Sequence, residues 1–269
     1  CGSLKSRVEL QDDYEEFILI ADVQALTTHF ERPELINDSI YQITMDNLAV
    51  GLDPEKVTFI QQSGVPCIHE LTMYYSMITT CNHLLINPTI KTEARSYGME
   101  DESREYDFSK LTYGFLGYPV SQAADITALE GSYVPVGEDQ LPLIEQTREI
   151  VRKFNSIYGD ILVEPEAVLS SSKRIKGLDG NEKMGKSLGN AIYLSDTVEE
   201  VNKKVMSAVT DPNRIKKDDL GNPDVCMVYY YHKLFSGQEA CAKCCEECKK
   251  GQRGCVACKK ELAANINNF

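Results

Sequence analysis

Residues 119–154, PVSQAADITALEGSYVPVGEDQLPLIEQTREIVRKF, decide the fold class of this chain of 269 residues. PVSQAADITALEG and EDQLPLIEQTREIVRKF have the apolar spacing of helices, and YVPVG between them predicts a short buried strand. Toward the N-terminus the alternation continues, because FILIAD (17–22) and KVTFIQ (56–61) predict strands, with helices over residues 33–51 and 69–80. Strands that alternate with helices predict an α/β fold in which helices cover both faces of a parallel sheet.

The pattern changes in the last third of the chain. Residues 197–209 (TVEEVNKKVMSAV), residues 224–235 (DVCMVYYYHKLF) and the cysteine-rich tail predict helices only. We therefore expect an α/β domain over residues 1–195 and an all-helical domain over residues 196–269. Within the first of these, the polar residues 91–107 predict a loop.

Composition excludes several functional classes. The chain is 42% hydrophobic, and no run approaches the roughly 18 apolar residues of a membrane span, so no membrane partner is expected. The N-terminal residues lack the apolar segment of a secretion signal. A formal charge of −13 argues against a protein that coats nucleic acid, although six Lys or Arg against two Glu over residues 241–260 indicate a local basic surface.

The sharpest short motif is KMGKS, Lys183–Ser187, which follows the glycine-rich stretch IKGLDGNE (175–182). The glycines predict a mobile loop, and two lysines on long stems beside a backbone that can approach closely suit the clamping of a polyphosphate. A solvated basic turn would explain the charges alone. Because average residue usage gives such a string about once per million positions, we favour the phosphate clamp.

A second group of candidate residues lies in the stretch that decides the fold. Asp125 follows two alanines (123–124) that leave room for a flat ring, and its carboxylate can accept a hydrogen bond from a ring N–H. Asp139 and Gln140 follow the strand YVPVG, where α/β proteins bind ligands, and suit a ribose hydroxyl and a zwitterionic amino acid. Alternatively, Asp125 only decorates an amphipathic helix, and Glu138 and Asp139 only favour a helix N-terminus.

Strings spread in order over nearly the whole chain resemble the tryptophanyl-tRNA synthetases of the bacterial type, which are class I aminoacyl-tRNA synthetases. The strings are GSLKSRVELQ, ADVQALTTHF, LDPEKVTFIQQS, GFLGYPVSQAADI, VPVGEDQLPLIEQTREIVRKFN, EKMGKSLGNAI and KVMSAVTDP. KMGKS resembles their KMSKS motif, with Gly for Ser. The resemblance implies a Rossmann-like catalytic domain over residues 1–195 and a helical anticodon-recognition domain over residues 196–269.

The same resemblance implies a function in protein biosynthesis. The chain would be a tryptophan–tRNA ligase that activates L-tryptophan with ATP to tryptophanyl-adenylate and then transfers it to tRNA(Trp). It would work as a cytoplasmic homodimer. Asp125 would accept the indole N–H, Tyr118 and Gln140 would hold the polar end of the amino acid, and Gln122 would contact the ring. Gln24 stands where members often carry a histidine that faces the substrate.

ATP would bind at other residues of the matching strings. These are Gly137, Glu138, Asp139, Ile175, Lys183, Met184, Gly185, Lys186 and Ser187. The resemblance implies that Asp139 binds the ribose and that Ile175 contacts adenine through its backbone. Lys183 and Lys186 would be the catalytic residues, because their charges stabilise the departing pyrophosphate, and Mg²⁺ would share that charge.

The sequence departs from the family in lacking the HxGH segment that precedes the match to residues 2–11. The first strand is missing with it, and the last helix stops early. We expect either a fragment truncated at both ends or a natural relative without this segment, and in both cases slow formation of the adenylate by this chain. Two alternatives to the main function stay open. One is an impaired paralogue that binds tryptophan or tRNA as a regulatory module, and the other is a tyrosine-specific ligase.

Seven of the ten cysteines crowd the last part of the chain. Cys226, followed by Cys248-x6-Cys255-x2-Cys258, resembles the iron–sulfur motif of a subset of these synthetases, and implies a [4Fe–4S] cluster with these four ligands. Zinc bound by four cysteines is the competing interpretation. Spacing alone leaves the choice of the four open, because residues 241–245 hold three more cysteines. The basic residues around them would offset the charge of a cluster or contact tRNA phosphates.

Overall fold

The structure is a computed structural model that describes residues 3–103, 105–169, 175–181, 184–185, 188–216 and 218–268. The chain forms two compact units, Cys1–Ser172 and Lys173–Phe269. They divide earlier than the boundary expected near residue 195. The assignment of residues 1–195 to catalysis and of residues 196–269 to anticodon recognition stays a prediction.

The first unit combines helices with two pairs of parallel strands. Its elements are α1 (Ser3–Leu10), β1 (Glu16–Ile20), α2 (Asp22–His29), α3 (Glu34–Ala49), β2 (Val57–Gln61), α4 (Pro66–Ile78), α5 (Cys81–Ile86), α6 (Pro88–Ser96), α7 (Tyr113–Thr127), β3 (Tyr133–Val136), α8 (Leu141–Tyr158) and β4 (Glu166–Leu169). β1 pairs with β2 in the register Ile18 to Phe59, and β3 pairs with β4 in the register Pro135 to Val168. The predicted α/β class with parallel strands is confirmed.

The loop expected over residues 91–107 is wrong in its first part, because α6 continues to Ser96. Pro88 stands in the first turn, where its missing N–H costs nothing, and the Asn87 side chain accepts the N–H of Thr89 as a cap. Ile90 and Ala94, four residues apart, are fully buried. Because residues 91–96 are mostly polar, their composition did not indicate a helix that buries only a narrow apolar face.

The core of the first unit lies between α4, α7 and α8. Ile68 and Tyr75 of α4 pack with Ala123 and Ala124 of α7, and all four are fully buried. The Tyr75 hydroxyl bonds to Thr127 Oγ1 over 2.6 Å. Small residues on α7 let α4 pack closely against it, which places the carboxyl end of α7 beside the end of β2.

The second unit is helical in residues 196–216 and 218–268. Its helices are α9 (Val198–Ser207), α10 (Met227–Phe235), α11 (Gln238–Lys249) and α12 (Cys255–Asn267), with a 3₁₀ turn over Pro223–Val225. They match the helices expected over residues 197–209 and 224–235 and in the cysteine-rich tail. Val205, Tyr231 and Leu262 form its buried centre. Among the helices of the described residues, none is long and apolar enough to cross a membrane.

Helix α9 begins with a capping box, which provides a test of local stability. Thr197 Oγ1 accepts the backbone N–H of Glu200, and Glu200 Oε2 accepts the backbone N–H of Thr197 over 2.8 Å. Thr197→Ala removes the first bond and costs about 1 kcal/mol, so amide hydrogen exchange in α9 becomes about fivefold faster. Thr197→Ser is the matched control and preserves the protection. Equal protection in the alanine variant would contradict the role of this cap.

Candidate functional site

A buried amide–carboxylate pair lies where β2 and α7 meet. Asp125, near the end of α7, is 8% exposed, and its Oδ1 accepts a hydrogen bond from Gln62 Nε2 over 2.7 Å. Gln62 directly follows β2 and is fully buried. Its Oε1 accepts the backbone N–H of Gln24 in α2 over 2.9 Å. Because the amide oxygen is held by α2, the amide N–H group must point at the carboxylate.

The environment raises the pKa of Asp125 to about 6. Burial is the main cause, and it is opposed by the hydrogen bond from Gln62 and by the nearby imidazole of His69. The carboxyl group is therefore mostly ionised at neutral pH while it is largely withdrawn from water. A desolvated anion of this kind is a strong acceptor for a ligand N–H.

Beside this pair is a cavity of about 270 Å³, lined in part by Gln24, His69 and Tyr118. Burial raises the pKa of Tyr118, and the Glu93 carboxylate raises it further, so the phenol keeps its proton. Within the part of the chain that the structure describes, the buried Oε1 of Gln24 has no hydrogen-bond partner. Two residues of the cavity wall thus carry a buried acceptor that lacks a partner and a buried phenol that keeps its proton.

The other predicted substrate residues lie outside the cavity wall. Gln122 is half-buried in α7, one turn before Asp125, and Gln140 closes the 3₁₀ turn that follows β3. Of the five predicted amino-acid contacts, Gln24 and Tyr118 line the cavity, and Asp125 is linked to Gln24 through Gln62.

The turn after β3 holds the predicted ribose residue against the backbone. A Cβ atom on Gly137 would lie 2.8 Å from Asp139 Oδ1, so a side chain at this position would displace the carboxylate. Thr89 Oγ1 donates to the carbonyl of Asp139 over 2.9 Å, and Gln140 Nε2 donates to Asp139 Oδ2 over 3.0 Å. Glu138 is exposed beside them. A side chain at position 137 would therefore require the exposed Asp139 carboxylate to move from this place.

In the second unit, the Asn190 side chain forms a hydrogen bond to the backbone of the KMGKS segment. Its Oδ1 accepts the backbone N–H of Gly185 over 2.9 Å, and its Nδ2 donates to Asp179 Oδ1 over 3.0 Å. Met184 N donates to the carbonyl of Ile175 over 3.2 Å, which joins two of the predicted ATP contacts. Lys183, Lys186 and Ser187 lie outside the described residues.

All four predicted cluster cysteines line one small cavity of about 20 Å³. Cys226 precedes α10, Cys248 lies near the end of α11, and Cys255 and Cys258 lie in the first turn of α12. Cys244 lines the same cavity. Burial raises the pKa of Cys226 and of Cys248, and the charge of Arg214 opposes this rise at Cys248.

Two arginines border this cavity. Arg214 Nη1 donates to the Cys248 sulfur over 3.5 Å. Arg253 is 9% exposed and forms ion pairs with Glu247 and Glu261. Cations that border a group of thiols can offset the negative charge of the thiolate state.

Sequence reasoning missed Gln62. The available signal was its position directly after the strand KVTFIQ, at the carboxyl end where α/β proteins place ligands. A glutamine next to a serine and a glycine looks like part of a turn. Its importance comes from contacts with residues 38 and 63 positions away in the sequence.

Comparisons with known proteins agree on one family. The family model described as tRNA synthetases class I (W and Y) matches residues 1–269. The tryptophan–tRNA ligase of Streptococcus mutans is 51% identical over 244 residues, which cover 88% of this chain and 69% of that protein. The tryptophan–tRNA ligase of Clostridium longisporum is 50% identical over 239 residues, or 87% of this chain and 68% of that protein.

Solved structures give the same result. The tryptophanyl-tRNA synthetase of Campylobacter jejuni in complex with ADP and tryptophan has a TM-score of 0.87 and 28% identity, with 99% of this chain and 79% of that chain covered. The tyrosyl-tRNA synthetase of Archaeoglobus fulgidus has a TM-score of 0.70 at 20% identity, with 99% of this chain and 81% of that chain covered, and shares the fold. The predicted Rossmann-like fold is confirmed.

The Gln62–Asp125 bond leads to a prediction about acidity. Gln62→Leu removes a donor that stabilises the carboxylate, so the pKa of Asp125 rises above about 6 by roughly one unit. Carbon-13 NMR titration of the aspartate carboxyl carbons measures this shift. Gln61→Leu is the matched control, because Gln61 donates instead to Asp22 over 2.7 Å, and it leaves Asp125 unchanged. An unchanged pKa in Gln62→Leu would show that this bond does not stabilise the anion.

Proposed function

The chain belongs to the class I tRNA synthetases of the tryptophan and tyrosine type, and from this membership we propose how its residues work. The function is that of a tryptophan–tRNA ligase, which activates L-tryptophan with ATP and transfers it to tRNA(Trp). ATP and Mg²⁺ are the cosubstrate and the ion expected of this family. The observation that carries the proposal for the site is the buried carboxylate of Asp125, fixed by Gln62.

Asp125 recognises the indole N–H. Gln62 holds Oδ1, while Oδ2 has no hydrogen-bond partner among the described residues and is the oxygen we assign to the indole. Phenylalanine has the size to enter such a site but no N–H group, so it would leave a buried anion without its partner. That loss is the basis of the discrimination, since buried unpaired acceptors cost much more than a small change of shape.

The polar end of the amino acid binds at the cavity wall. The buried Oε1 of Gln24 is an acceptor for the ammonium group, and the protonated Tyr118 hydroxyl is a donor for the carboxylate. Gln140 assists at the same end, and Gln122 contacts the ring. Glutamine thus replaces the family's histidine at position 24 and keeps the ability to accept a hydrogen bond.

The nucleotide contacts follow the turn after β3 and the KMGKS segment. Asp139 accepts a ribose hydroxyl, and the absence of a side chain on Gly137 leaves room for this carboxylate. Glu138 lies beside them, and Ile175 contacts adenine through its backbone. The phosphates are contacted by Met184, Gly185 and Ser187 of the KMGKS segment. Asn190 positions this segment by accepting the backbone N–H of Gly185.

The chemistry needs no covalent step on the protein. The tryptophan carboxylate attacks the α-phosphorus in line, the bond to the bridging oxygen breaks, and pyrophosphate leaves. Lys183 and Lys186 stabilise the charge that develops on the departing group, and this stabilisation, together with positioning, supplies most of the acceleration. Mg²⁺ shares the same charge. As an enzyme of protein synthesis, the protein acts in the cytoplasm.

The four cysteines at the cavity suit a [4Fe–4S] cluster better than a single zinc ion. One ion requires donors about 3.5–3.8 Å apart. Among the described residues, the group with three donor atoms within 4.8 Å of one another is a different one, and Cys226, Cys248, Cys255 and Cys258 do not form such a group. The wider spacing, the shared cavity and Arg214 on Cys248 fit a larger anionic group. Bound there, the cluster supplies a crosslink between α10, α11 and α12.

Exchange of labelled pyrophosphate into ATP tests the activity. We expect slow exchange by this chain that tryptophan stimulates, whereas tyrosine and phenylalanine stimulate it at least about 100-fold less at equal concentration. Lys183→Ala and Lys186→Ala slow the exchange and leave tryptophan affinity unchanged. Stimulation by tyrosine instead would identify a tyrosine-specific ligase and contradict the assigned role of Asp125.

Asp125 also makes tryptophan binding sensitive to pH. Binding of an N–H donor favours the ionised carboxyl group, so affinity falls as the pH drops below about 6 and the group gains its proton. Asp125→Asn lowers the affinity by about 10-fold or more and removes this pH dependence. Calorimetric titration between pH 5 and 8 measures both effects. A wild-type affinity that stays constant across pH 6 would show that this carboxyl group does not bind the substrate.

The first unit carries a surface suited to homodimer formation. Met73, Tyr74 and Met77 lie on one side of α4 and are 59%, 53% and 66% exposed, and Ile86 of α5 is 57% exposed. Large apolar side chains on one helix face mark interaction surfaces, and closed two-fold dimers are the commonest assembly.

Met77→Asp is expected to shift the dimer toward monomer, because a charge would have to be buried in the contact. Sedimentation velocity at micromolar concentration measures the change. The control is Leu220→Asp, at an apolar side chain that is 73% exposed in the second unit, and it leaves the dimer intact. A dimer of unchanged stability in Met77→Asp would exclude this helix face as the contact.

A further inference from the structure

Beside the four proposed cluster cysteines is a second, tighter group of metal-ligand atoms. His232 of α10, Cys244 of α11 and Cys258 of α12 place one donor atom each within 4.8 Å of one another. The sulfur atoms of Cys244 and Cys258 are 3.3 Å apart, and the Cys258 sulfur is 3.4 Å from His232 Nε2. Ligands of a tetrahedral zinc ion lie about 3.5–3.8 Å from one another, so small movements would close this group around one ion.

The histidine is prepared for the role of a ligand. His232 is fully buried, and its Nδ1 lies 2.7 Å from Ser236 Oγ, which also accepts a hydrogen bond from Asn265 Nδ2 over 2.8 Å. Nε2 lies 3.2 Å from the Cys258 carbonyl as well as 3.4 Å from the Cys258 sulfur, so ligation requires the tautomer whose proton is on Nδ1 and is donated to Ser236, which leaves the lone pair on Nε2. Metal-binding histidines are oriented in this way by a partner of the second ring nitrogen.

The charges also fit a divalent ion. Two thiolates and a neutral imidazole carry two negative charges, which one divalent cation cancels, so the loaded site can be buried at low cost. Sulfur with imidazole nitrogen is a ligand set that favours Zn²⁺ over Mg²⁺ or Ca²⁺. Water can supply the fourth donor from the cavity that Cys244 and Cys258 line.

We propose that His232, Cys244 and Cys258 form a binding site for a single zinc-class ion. Cys258 belongs both to this site and to the proposed cluster set, so the cluster and the ion cannot be bound at the same time. Only this mutual exclusion depends on the proposed cluster, and the ion site itself does not. The cysteine-rich centre can therefore bind either the cluster or the single ion, and the ion binds to protein that lacks the cluster.

Cobalt(II) is the probe for the ion, because it replaces zinc and gives strong visible absorption in a tetrahedral thiolate site. Full-length protein freed of metal is titrated with Co²⁺ under nitrogen, and Zn²⁺ is then added. We expect one Co²⁺ per chain with tetrahedral absorption that Zn²⁺ abolishes. Absence of this absorption from protein with unchanged circular dichroism would overturn the proposal.

Single substitutions distinguish binding of the ion from binding of the cluster. Cys244→Ser weakens Co²⁺ binding at least tenfold but still takes up iron and sulfide in anaerobic reconstitution. Cys255→Ser shows the opposite pattern, and Cys258→Ser loses both. Cys241→Ser, on the same helix as Cys244, is the matched control and retains both. Co²⁺ binding that is lost in Cys255→Ser and kept in Cys244→Ser would overturn the proposal, because the ion would then occupy the cluster set. If no variant takes up iron, the cluster fails while the Co²⁺ data still test the ion site.

Discussion

The buried amide of Gln62 is the interaction on which the proposed specificity depends. It is held at its oxygen by the backbone of α2 and donates from its nitrogen to the Asp125 carboxylate. This single side chain joins three elements, and it keeps a desolvated carboxyl group ionised and oriented. Without it, the same aspartate would be more easily protonated and free to rotate, and a poorer acceptor for an indole.

The packing of α4 against α7 makes that arrangement possible. Ala123 and Ala124 bring the helices together, and they lie directly before Asp125. The alternation of short apolar runs and amphipathic helices was sufficient to predict the α/β class and the position of Asp125. It could not reveal the Gln62 contact, because periodicity reports which face of an element is buried and not which polar atoms meet across the core. Helix α6 was missed for a related reason, since Ile90 and Ala94 give too narrow an apolar stripe to stand out.

In the cysteine-rich centre, too, the sequence predicted one part of the arrangement and did not reveal another. The spacing of Cys226, Cys248, Cys255 and Cys258 predicted a common site, and the four do line one cavity. Spacing gave no indication that the donor atoms of His232, Cys244 and Cys258 come within 4.8 Å of one another, because that depends on how α10, α11 and α12 pack. The half-buried thiol of Cys258 is thus common to the two ligand sets that we propose for these three helices.

The central claim is that a buried carboxylate selects its substrate by one N–H group. The most direct measurement compares the affinities of L-tryptophan and of β-(3-benzothienyl)alanine, in which sulfur replaces the N–H at nearly constant shape. Because the analogue leaves the Asp125 carboxylate without its partner, we expect it to bind about 10- to 100-fold more weakly at pH 7.5. Equal affinities would contradict the account, since shape alone would then explain the selection of the ring.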